Sequence, residues 1–331
     1  MLNFFSKPKN IRKKILRTLA VIFGIIFIIW LWIAQPSFSS NKPINLTLET
    51  EILKKHVKFI SVDSFPRHYT KTKNLNKVAK YIQEHFIKFG CETSMQKHRT
   101  GSRDYFNVIG KINPGKGHKI IIGAHYDSHR GTPGADDNAS GVAGLIELAR
   151  LLSKAKLSYE IEIVAYSLEE PPFFATDRMG SVFHANDIKA KGEKIDGVIV
   201  LEMIGYFSDE SWSQSYPMPL LYLMYPTTGN FITVVGNTSQ TGFTKEVKIG
   251  MQGSTDLPVY SISAPTIIPG IDFSDHRSYW KHDYNAIMIT DTAFYRNKEY
   301  HKENDTIDRL DFDRMGKVIL SIYNYMISRK F

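Results

Sequence analysis

The stretch KIIIGAHYDSHRGTPGADDNASGVAGLIELARLL (119–152) contains an apolar run, a polar loop and a second apolar run. The first run, residues 119–124, predicts a β-strand, and the second, residues 140–152, predicts an α-helix. Between them lie His125, Asp127 and Asp137, whose side chains can bind metals or protons. In α/β sheets, ligands and catalytic groups gather at the carboxyl ends of strands, so this loop is the first candidate for a functional site.

Further strands and helices alternate on both sides of this stretch. Apolar residues at helical spacing predict helices at 48–59, 74–89 and 310–328, the last capped by Asp311. Strand-like segments lie at 92–97, 105–112, 159–167, 198–203 and 286–290. The alternation predicts an α/β fold, a three-layer α/β/α sandwich around a central mixed, mostly parallel sheet. We interpret residues 207–257, rich in Ser, Thr, Gly, Tyr and Pro, as an insertion of loops and short elements over the site.

The N-terminal region differs in composition from the rest of the chain. Seventeen uncharged residues, Thr18–Ala34, follow a basic segment and are just enough to span a bilayer. Because basic residues stay on the cytoplasmic side, we predict a cytoplasmic segment (1–17), a transmembrane signal anchor (18–35), a linker (36–46) and a periplasmic or extracellular domain (47–331). A cleaved signal peptide is the alternative. Its apolar region would usually be shorter and would end in small residues of A-x-A type, which the residues after this run fit poorly.

The formal net charge of +9 is concentrated at the N-terminus. Six basic residues precede the apolar run, which leaves +3 for the rest of the chain. That remainder has no Lys/Arg-rich stripe interleaved with aromatic residues, so nucleic-acid binding is not expected. Cys91 is the only cysteine, so the fold has no internal disulfide and depends on its core and on any bound metal.

Acidic and imidazole side chains follow several of the predicted strands. They are His125, Asp137, Glu169, Glu170, Glu202 and His301. Imidazole and carboxylate ligands without thiolates suit zinc in a hydrolytic site, although carboxylate-rich sites also accept cobalt or manganese. The five candidate ligands are these residues without Glu169. Five ligands are too many for one tetrahedral zinc, whereas two ions bridged by a short Asp can share them. Asp137 is the candidate bridge, because it is a short carboxylate at the start of a helix.

Two neighbouring carboxylates are candidates for supporting roles. Glu169 precedes the candidate ligand Glu170, and at a strand end the two side chains point differently, so Glu169 can serve as general base. Asp127 can accept a hydrogen bond from the second ring nitrogen of His125 and so fix its tautomer. Asp275, in the pair Asp275–His276, is a further candidate for supporting a ligand, with simple loop structure as the alternative.

With these residues in view, the chain resembles the di-zinc aminopeptidases of metallopeptidase family twenty-eight. The matching segments, in family order, are GAHYDS (123–128), PGADDNASG (133–141), EEPPFF (169–174), LEMIGY (201–206), SDH (274–276) and YH (300–301). The resemblance implies an aminopeptidase that hydrolyses N-terminal residues of peptides through a hydroxide bridging two zinc ions, within residues 47–331.

Carried over by residue, the resemblance implies that His125 and Glu202 bind one zinc and that Glu170 and His301 bind the other. It implies further that Asp137 bridges the ions, that Glu169 is the general base and that Tyr300 polarises the scissile carbonyl. Glu202 departs from the family pattern, where many members have Asp.

Two alternatives remain open. Glutaminyl cyclase-like acyltransferases share the fold and several motifs but use one zinc, and receptor-like ectodomains of this fold have lost ligands. The oligomeric state and the preferred substrate do not follow from the sequence.

Overall fold

Short runs of β-branched and apolar residues form the centre of the fold. The computed structural model describes residues 8–38 and 41–331; residues 1–7 of the predicted cytoplasmic segment and residues 39 and 40 of the predicted linker lie outside the described residues. Eight strands form one sheet: β1 (Glu92–Thr100), β2 (Arg103–Ile112), β3 (Lys119–His125), β4 (Glu160–Tyr166), β5 (Gly197–Leu201), β6 (Ile232–Gly236), β7 (Val259–Ser263) and β8 (Ala286–Thr290). Every residue of β3, β4, β5 and β8 is buried, as expected of strands covered on both faces.

The strand order is β1-β2-β4-β3-β5-β8-β6-β7. The four central strands β4, β3, β5 and β8 run parallel, and so do β6 and β7, while the remaining neighbours are antiparallel. In the centre, Gly123 of β3 pairs with Val164 of β4 and Val200 of β5. The prediction of a mixed, mostly parallel sheet is therefore confirmed.

Helices cover the sheet on both faces. They are α2 (Thr50–Ser61), α3 (Thr72–Lys88), α4 (Gly141–Leu152), α5 (Gly180–Ala190), α6 (Thr241–Met251), α7 (His276–Trp280) and α8 (Phe312–Ser328), whereas α1 (Pro8–Ile33) precedes the domain. Ile120 and Ile122 of β3 join the core formed with α2, α3, α4, α6 and α8, whereas Ile121 joins the core formed with α5 and α7. This alternation is the period of a strand between two layers, and it confirms the predicted three-layer sandwich.

The ends of the predicted helices shift by a few residues. The two predicted near the start of the domain become α2 and α3, and the C-terminal helix begins at Phe312. The side chain of Asp311 accepts a hydrogen bond from the backbone N–H of Arg314 at 2.9 Å, so its predicted capping role is confirmed.

The prediction for residues 207–257 is wrong in part. We expected loops and short elements, but this segment contains β6, which pairs with β7 and β8, and the eleven-residue helix α6. Both are stabilised by packing that local composition does not reveal, because Val234 of β6 and Val247 of α6 are fully buried in the main core. Residues 207–231, by contrast, form mainly loops and short turns.

The N-terminal helix α1 projects from the domain. Its segment Ile11–Ile33 is long and apolar enough to cross a membrane, a test that a signal sequence near an N-terminus also passes. The helix ends at Ile33, two residues before the predicted end of the span, and Ala34 and Gln35 are buried against the domain. Part of the predicted linker is also docked, since the Asn41 side chain donates to the carbonyls of Ile249, Gly250 and Gln252.

Candidate active site

Acidic and imidazole side chains lie at the carboxyl ends of the parallel strands, along one edge of the sheet. His125 is the last residue of β3, Glu202 directly follows β5, and Glu169 and Glu170 lie in the loop after β4. Asp137 lies in a short turn, Ala135–Ser140, that precedes α4 and has non-helical backbone angles at Asp137 itself. His301 lies in the long loop after β8. These positions are the carboxyl ends of strands and the loops beside them, where sites form in such folds.

The structure brings the five predicted metal ligands together in two groups that share Asp137. One group consists of His125, Asp137 and Glu202, and the other of Asp137, Glu170 and His301, with the donor atoms of each group within 4.8 Å of one another. The Nε2 atom of His125 lies 3.4 Å from Oδ1 of Asp137 and 3.3 Å from Oε2 of Glu202.

The second oxygen of Asp137 faces the other group. The Nε2 atom of His301 lies 3.1 Å from Oδ2 of Asp137 and 3.2 Å from Oε2 of Glu170. The two carboxylate oxygens of Asp137 thus point to different imidazoles, which is the arrangement of a carboxylate that can bridge two cations.

Several of these donor atoms are buried without a hydrogen-bond partner among the described residues. They include Nε2 of His125, Oδ2 of Asp137, Oε1 of Glu170 and Nε2 of His301. Buried polar atoms are normally satisfied, and a cluster of unsatisfied donors and acceptors aimed at one another fits a site that could hold a metal ion. The mixture of imidazole and carboxylate, with no thiolate, fits zinc.

Burial and neighbouring charges shift the pKa values of the side chains in the cluster. Burial lowers the pKa of His301, but Asp137 and Glu170 outweigh it and raise that pKa to about 10. Burial raises the pKa of Glu170 to about 8, and the negative charge of Asp137 adds to this rise. Burial raises the pKa of Asp137, but His125 and His301 outweigh this effect and hold that pKa below its usual range. In the metal-free chain, protons therefore occupy positions that a divalent cation would take.

Asp127 ties the end of β3 to the loop after β4. Its Oδ1 accepts from the backbone N–H of Glu169 at 3.1 Å, and its Oδ2 accepts from the N–H of Glu170 at 3.2 Å. The same Oδ1 lies 3.4 Å from Nδ1 of His125. One buried carboxylate therefore orients an imidazole and the backbone of both glutamates.

Glu169 and Tyr300 lie beside the two groups without belonging to either. Oε2 of Glu169 lies 3.9 Å from Nε2 of His125, and burial together with Glu202 raises the pKa of Glu169 well above its usual range against the opposing charge of His125. The ring of Tyr300 stacks on that of His301, with centroids 3.7 Å apart. Burial and the charges of Asp137 and Glu170 raise the pKa of the Tyr300 hydroxyl, so it keeps its proton and can donate it in a hydrogen bond.

The acidic neighbours Asp136 and Asp275 belong to neither ligand group. Asp136 accepts from the N–H of Gly205 at 3.0 Å and from the side chain of Asn297 at 3.1 Å. Asp275 is fully buried directly before α7, where burial raises its pKa to about 7 against the opposing charge of His125. The Nε2–H of His276 donates to the backbone carbonyl of Ile271 at 2.8 Å, as in a loop-stabilising residue.

Four buried residues that the sequence analysis did not select hold the ligands in place. Ser274 donates to Oε2 of Glu202 at 2.7 Å, and the Asn138 side chain donates to the carbonyl of Leu201 at 2.9 Å. Asp305 accepts from the backbone N–H groups of Asp136 and Asp137, each at 3.1 Å.

Arg67 is the fourth of these residues. It is completely buried and donates to the backbone carbonyls of Tyr126, Pro133, Gly134 and Asp137. Ser274 and Asn138 lie inside quoted motifs and could have been found there. Arg67 and Asp305 stand in loops with no motif, and their sequence gives no signal.

A mostly apolar pocket adjoins the cluster. Glu202 and Tyr300 line it at the site, and its walls include Tyr216, Leu221, Tyr225, Phe231, Val235, Ile262, Ile271, Met288 and Phe294. A pocket with an apolar wall and a few polar groups at one end is the usual form of a small-molecule or side-chain site. Part of the wall comes from residues 207–257, so that segment does contribute to the surroundings of the cluster.

Comparisons with known proteins agree on one family. The sequence profile of peptidase family M28 matches residues 107–326. An uncharacterised Escherichia coli K12 protein, YfbL, is 45% identical over 288 residues, which cover 85% of this chain and 88% of YfbL. Leucine aminopeptidase 1 of Uncinocarpus reesii is 25% identical over 243 residues; the match covers 69% of this chain but only 55% of that enzyme.

Solved structures show the same fold at lower identity. The aminopeptidase LapA of Legionella pneumophila has a TM-score of 0.65 and 21% identity, covering 84% of this chain and 70% of LapA. A Bacteroides thetaiotaomicron glutaminyl cyclase has a TM-score of 0.65 and 18% identity, covering 88% of this chain and all of the cyclase.

The family match and the aminopeptidase relatives support a peptidase-type hydrolase. They also agree with the resemblance that the strand-end motifs suggested. The profile covers well over half of the chain, and the Escherichia coli relative matches nearly its whole length. This chain belongs to peptidase family M28.

Proposed function

We propose that the chain is a membrane-anchored, zinc-dependent aminopeptidase that removes N-terminal residues from peptides outside the cytoplasm. The observation that carries this proposal is Asp137, whose two oxygens face two separate imidazole–carboxylate groups. His125, Asp137 and Glu202 would hold one zinc, and Asp137, Glu170 and His301 the other. Zinc at these two positions would supply Lewis acidity and an activated water, the chemistry that amide hydrolysis requires.

The residues around the ions would carry the proton transfers. Glu169 lies close to His125 but in neither ligand group. Cations bound beside it would offset the burial and negative charges that raise its pKa, so that its carboxylate would be free to take a proton from the attacking water and give it to the leaving amine. Tyr300 keeps its hydroxyl proton and lines the pocket, so it can donate to the oxygen of the scissile carbonyl. Asp127 would hold His125 and the glutamate loop in position.

The pocket suggests which peptides are cleaved. Its wall is formed mainly by aromatic and aliphatic side chains and lies next to Glu202 and Tyr300. A large apolar N-terminal side chain would bury its surface there, whereas a charged one would lose hydration without a partner. We therefore expect leucyl and phenylalanyl substrates to be preferred over aspartyl and lysyl ones.

The membrane part of the proposal depends on α1. Within the candidate span Ile11–Ile33, the apolar run that begins at Thr18 follows the basic residues, and the end of the helix is directly joined to the domain. An uncleaved helix of this kind would place the domain on the far side of the membrane from the basic residues.

The test is the replacement of Glu169 by Gln in the full chain, assayed with aminoacyl-p-nitroanilides. Loss of the general base should lower kcat by roughly 10²–10⁴-fold while two zinc ions remain bound. Glu303→Gln, an exposed carboxylate two residues after His301, is the matched control and should keep full activity. Activity that survives in Glu169→Gln, or in the presence of excess chelator, would rule the proposal out.

Metal stoichiometry separates the peptidase from a glutaminyl cyclase-like enzyme. The group formed by Asp137, Glu170 and His301 favours a second ion, which a one-zinc cyclase does not need. We expect close to two zinc ions per chain and release of free amino acids from peptides. One zinc per chain, with release of ammonia from peptides that begin with glutamine, would favour the cyclase.

A further inference from the structure

A patch of exposed apolar side chains lies in the loops between β5 and β6. Leu223 and Trp212 are 77% and 73% exposed, and Met218 and Tyr222 are also exposed. We call these four residues the apolar surface. Between Glu210 and Lys245 the sequence contains no Asp, Glu, Lys, Arg or His, so no charged side chain of that segment interrupts it. Exposed apolar patches of this kind mark sites of contact with proteins or membranes.

The apolar surface is continuous with the contact between α1 and the domain. Tyr222 lies beside Trp212, with ring centroids 6.3 Å apart, and beside Tyr216, with centroids 5.1 Å apart. Tyr216 packs in one apolar cluster with Trp30 and Ala34 from the end of α1. The last turn of the apolar helix therefore lies next to the patch.

Hydrogen bonds fix the end of α1 against the domain. The buried ammonium of Lys248 donates to the carbonyls of Ala34 and Gln35, the first acceptors after the helix. The Gln35 side chain donates to the hydroxyl of Ser263 at 2.8 Å, and the Ser261 hydroxyl donates to the Ala34 carbonyl at 3.1 Å. These buried contacts hold the end of α1 against the domain.

We propose that the apolar surface lies in the interfacial layer of the same bilayer that α1 crosses. This inference rests on the membrane anchoring in the proposed function but not on the peptidase activity. The partner is the lipid surface, because the patch adjoins the point where the apolar helix ends and because it combines Trp and Tyr with aliphatic side chains. Such residues favour the boundary between headgroups and acyl chains.

One wall of the candidate active-site pocket packs against the end of α1. Tyr216, Leu221 and Tyr225 line the pocket beside Glu202, and the same three residues pack with the end of α1. One wall of the pocket is thus shared with the membrane anchor. The enzyme would then act on peptides whose N-termini lie at the membrane surface.

The test places an environment-sensitive fluorophore at single cysteines of the full chain. Cys91→Ala supplies the background, to which Leu223→Cys, Gly24→Cys or Lys97→Cys is added. Gly24 lies within α1 with no atom near a built Cβ, and Lys97 lies on β1, at the opposite edge of the sheet from β7. The proteins are reconstituted in vesicles of phosphatidylethanolamine and phosphatidylglycerol that contain lipids with a nitroxide near the top of the acyl chain.

We expect the nitroxide lipids to quench the probe at Leu223 several-fold more than the probe at Lys97, with the probe at Gly24 quenched as the marker of the span. Quenching at Gly24 with none at Leu223 would overturn the contact while leaving the anchor intact. No quenching at Gly24 would overturn the anchor and the contact together. Hydrolysis of a soluble aminoacyl substrate, measured on the same samples, reports separately on the proposed peptidase activity.

Discussion

At the scale of single residues, the position of Asp137 depends on two side chains that contact its backbone and not its carboxylate. Arg67 donates to the carbonyl of Asp137 and to those of Pro133 and Gly134, while Asp305 accepts from the N–H of Asp137. The turn that carries the shared carboxylate is therefore held through its backbone on both sides. Supporting contacts of this kind set the precision of a metal site.

We predict that Arg67→Met weakens zinc binding by roughly 10–100-fold, because four buried carbonyls lose their donor and the turn at Asp137 loosens. The measurement is a competition titration of zinc against a fluorescent chelator. Arg99→Met, at an exposed position of β1, is the control and should bind zinc as the natural chain does. A folded Arg67→Met protein with unchanged affinity would contradict this role.

The candidate ligands could be predicted from the sequence, whereas the buried residues that bind the backbone of their loops could not. His125, Glu170 and Glu202 each follow an apolar run, so the strand rule alone selects them. Arg67 and Asp305 act on backbone groups of a distant turn. Charged residues in loops are usually solvated, and only the folded chain shows that these two are buried.

At the scale of elements, some strands and helices could likewise be predicted from the sequence and others could not. The runs that became β3 and β5 are largely apolar, β4 alternates Glu with Ile before an apolar run, and all three were predicted. The strand β6 lies in a segment rich in Ser, Thr, Gly, Tyr and Pro, and α6 contains Gly242 and Gly250, which lower helix propensity. Their stability comes from contacts with β8 and α8, which are distant in sequence.

The strand β3 places His125 only because it fits closely against its neighbour. A Cβ atom built on Gly123 would lie 2.2 Å from the ring of Tyr166 on β4, and the Tyr166 hydroxyl is itself hydrogen-bonded to that of Tyr279 at 2.7 Å. The ring cannot move aside without breaking that buried bond. Glycine at this position therefore allows the two strands and α7 to pack together.

We predict that Gly123→Ala lowers the free energy of unfolding by about 1–3 kcal/mol, through overpacking between β3 and β4. Because His125 is two residues away on the same strand, metal affinity should fall as well. Urea denaturation followed by circular dichroism provides the measurement. Gly117→Ala, just before β3, is the matched control, since no atom lies within 4 Å of its built Cβ. Equal stability of the two variants would show that the strand adjusts freely.

At the scale of the whole molecule, the cluster draws its ligands from elements far apart in the chain. His125 and His301 are separated by most of the domain, yet both face Asp137. The unfolded chain has no such arrangement, so any metal bound here stabilises only the folded state. The crowding of Asp137, Glu169, Glu170 and Glu202 also costs free energy in the absence of cations, as the raised pKa of Glu170 indicates.

We predict that removal of zinc by a chelator lowers Tm and that added zinc restores it, with a shift that grows with the free zinc concentration. Differential scanning calorimetry provides the measurement. Because Asp137 belongs to both ligand groups, Asp137→Asn should abolish most of the shift, whereas Glu202→Gln and Glu170→Gln should each leave the contribution of the other group. Glu84→Gln, an exposed carboxylate on α3, should respond as the natural chain does. If Asp137→Asn retained the full zinc-dependent rise in Tm, the ions would have to be held without a shared carboxylate, and the two-metal arrangement would be wrong.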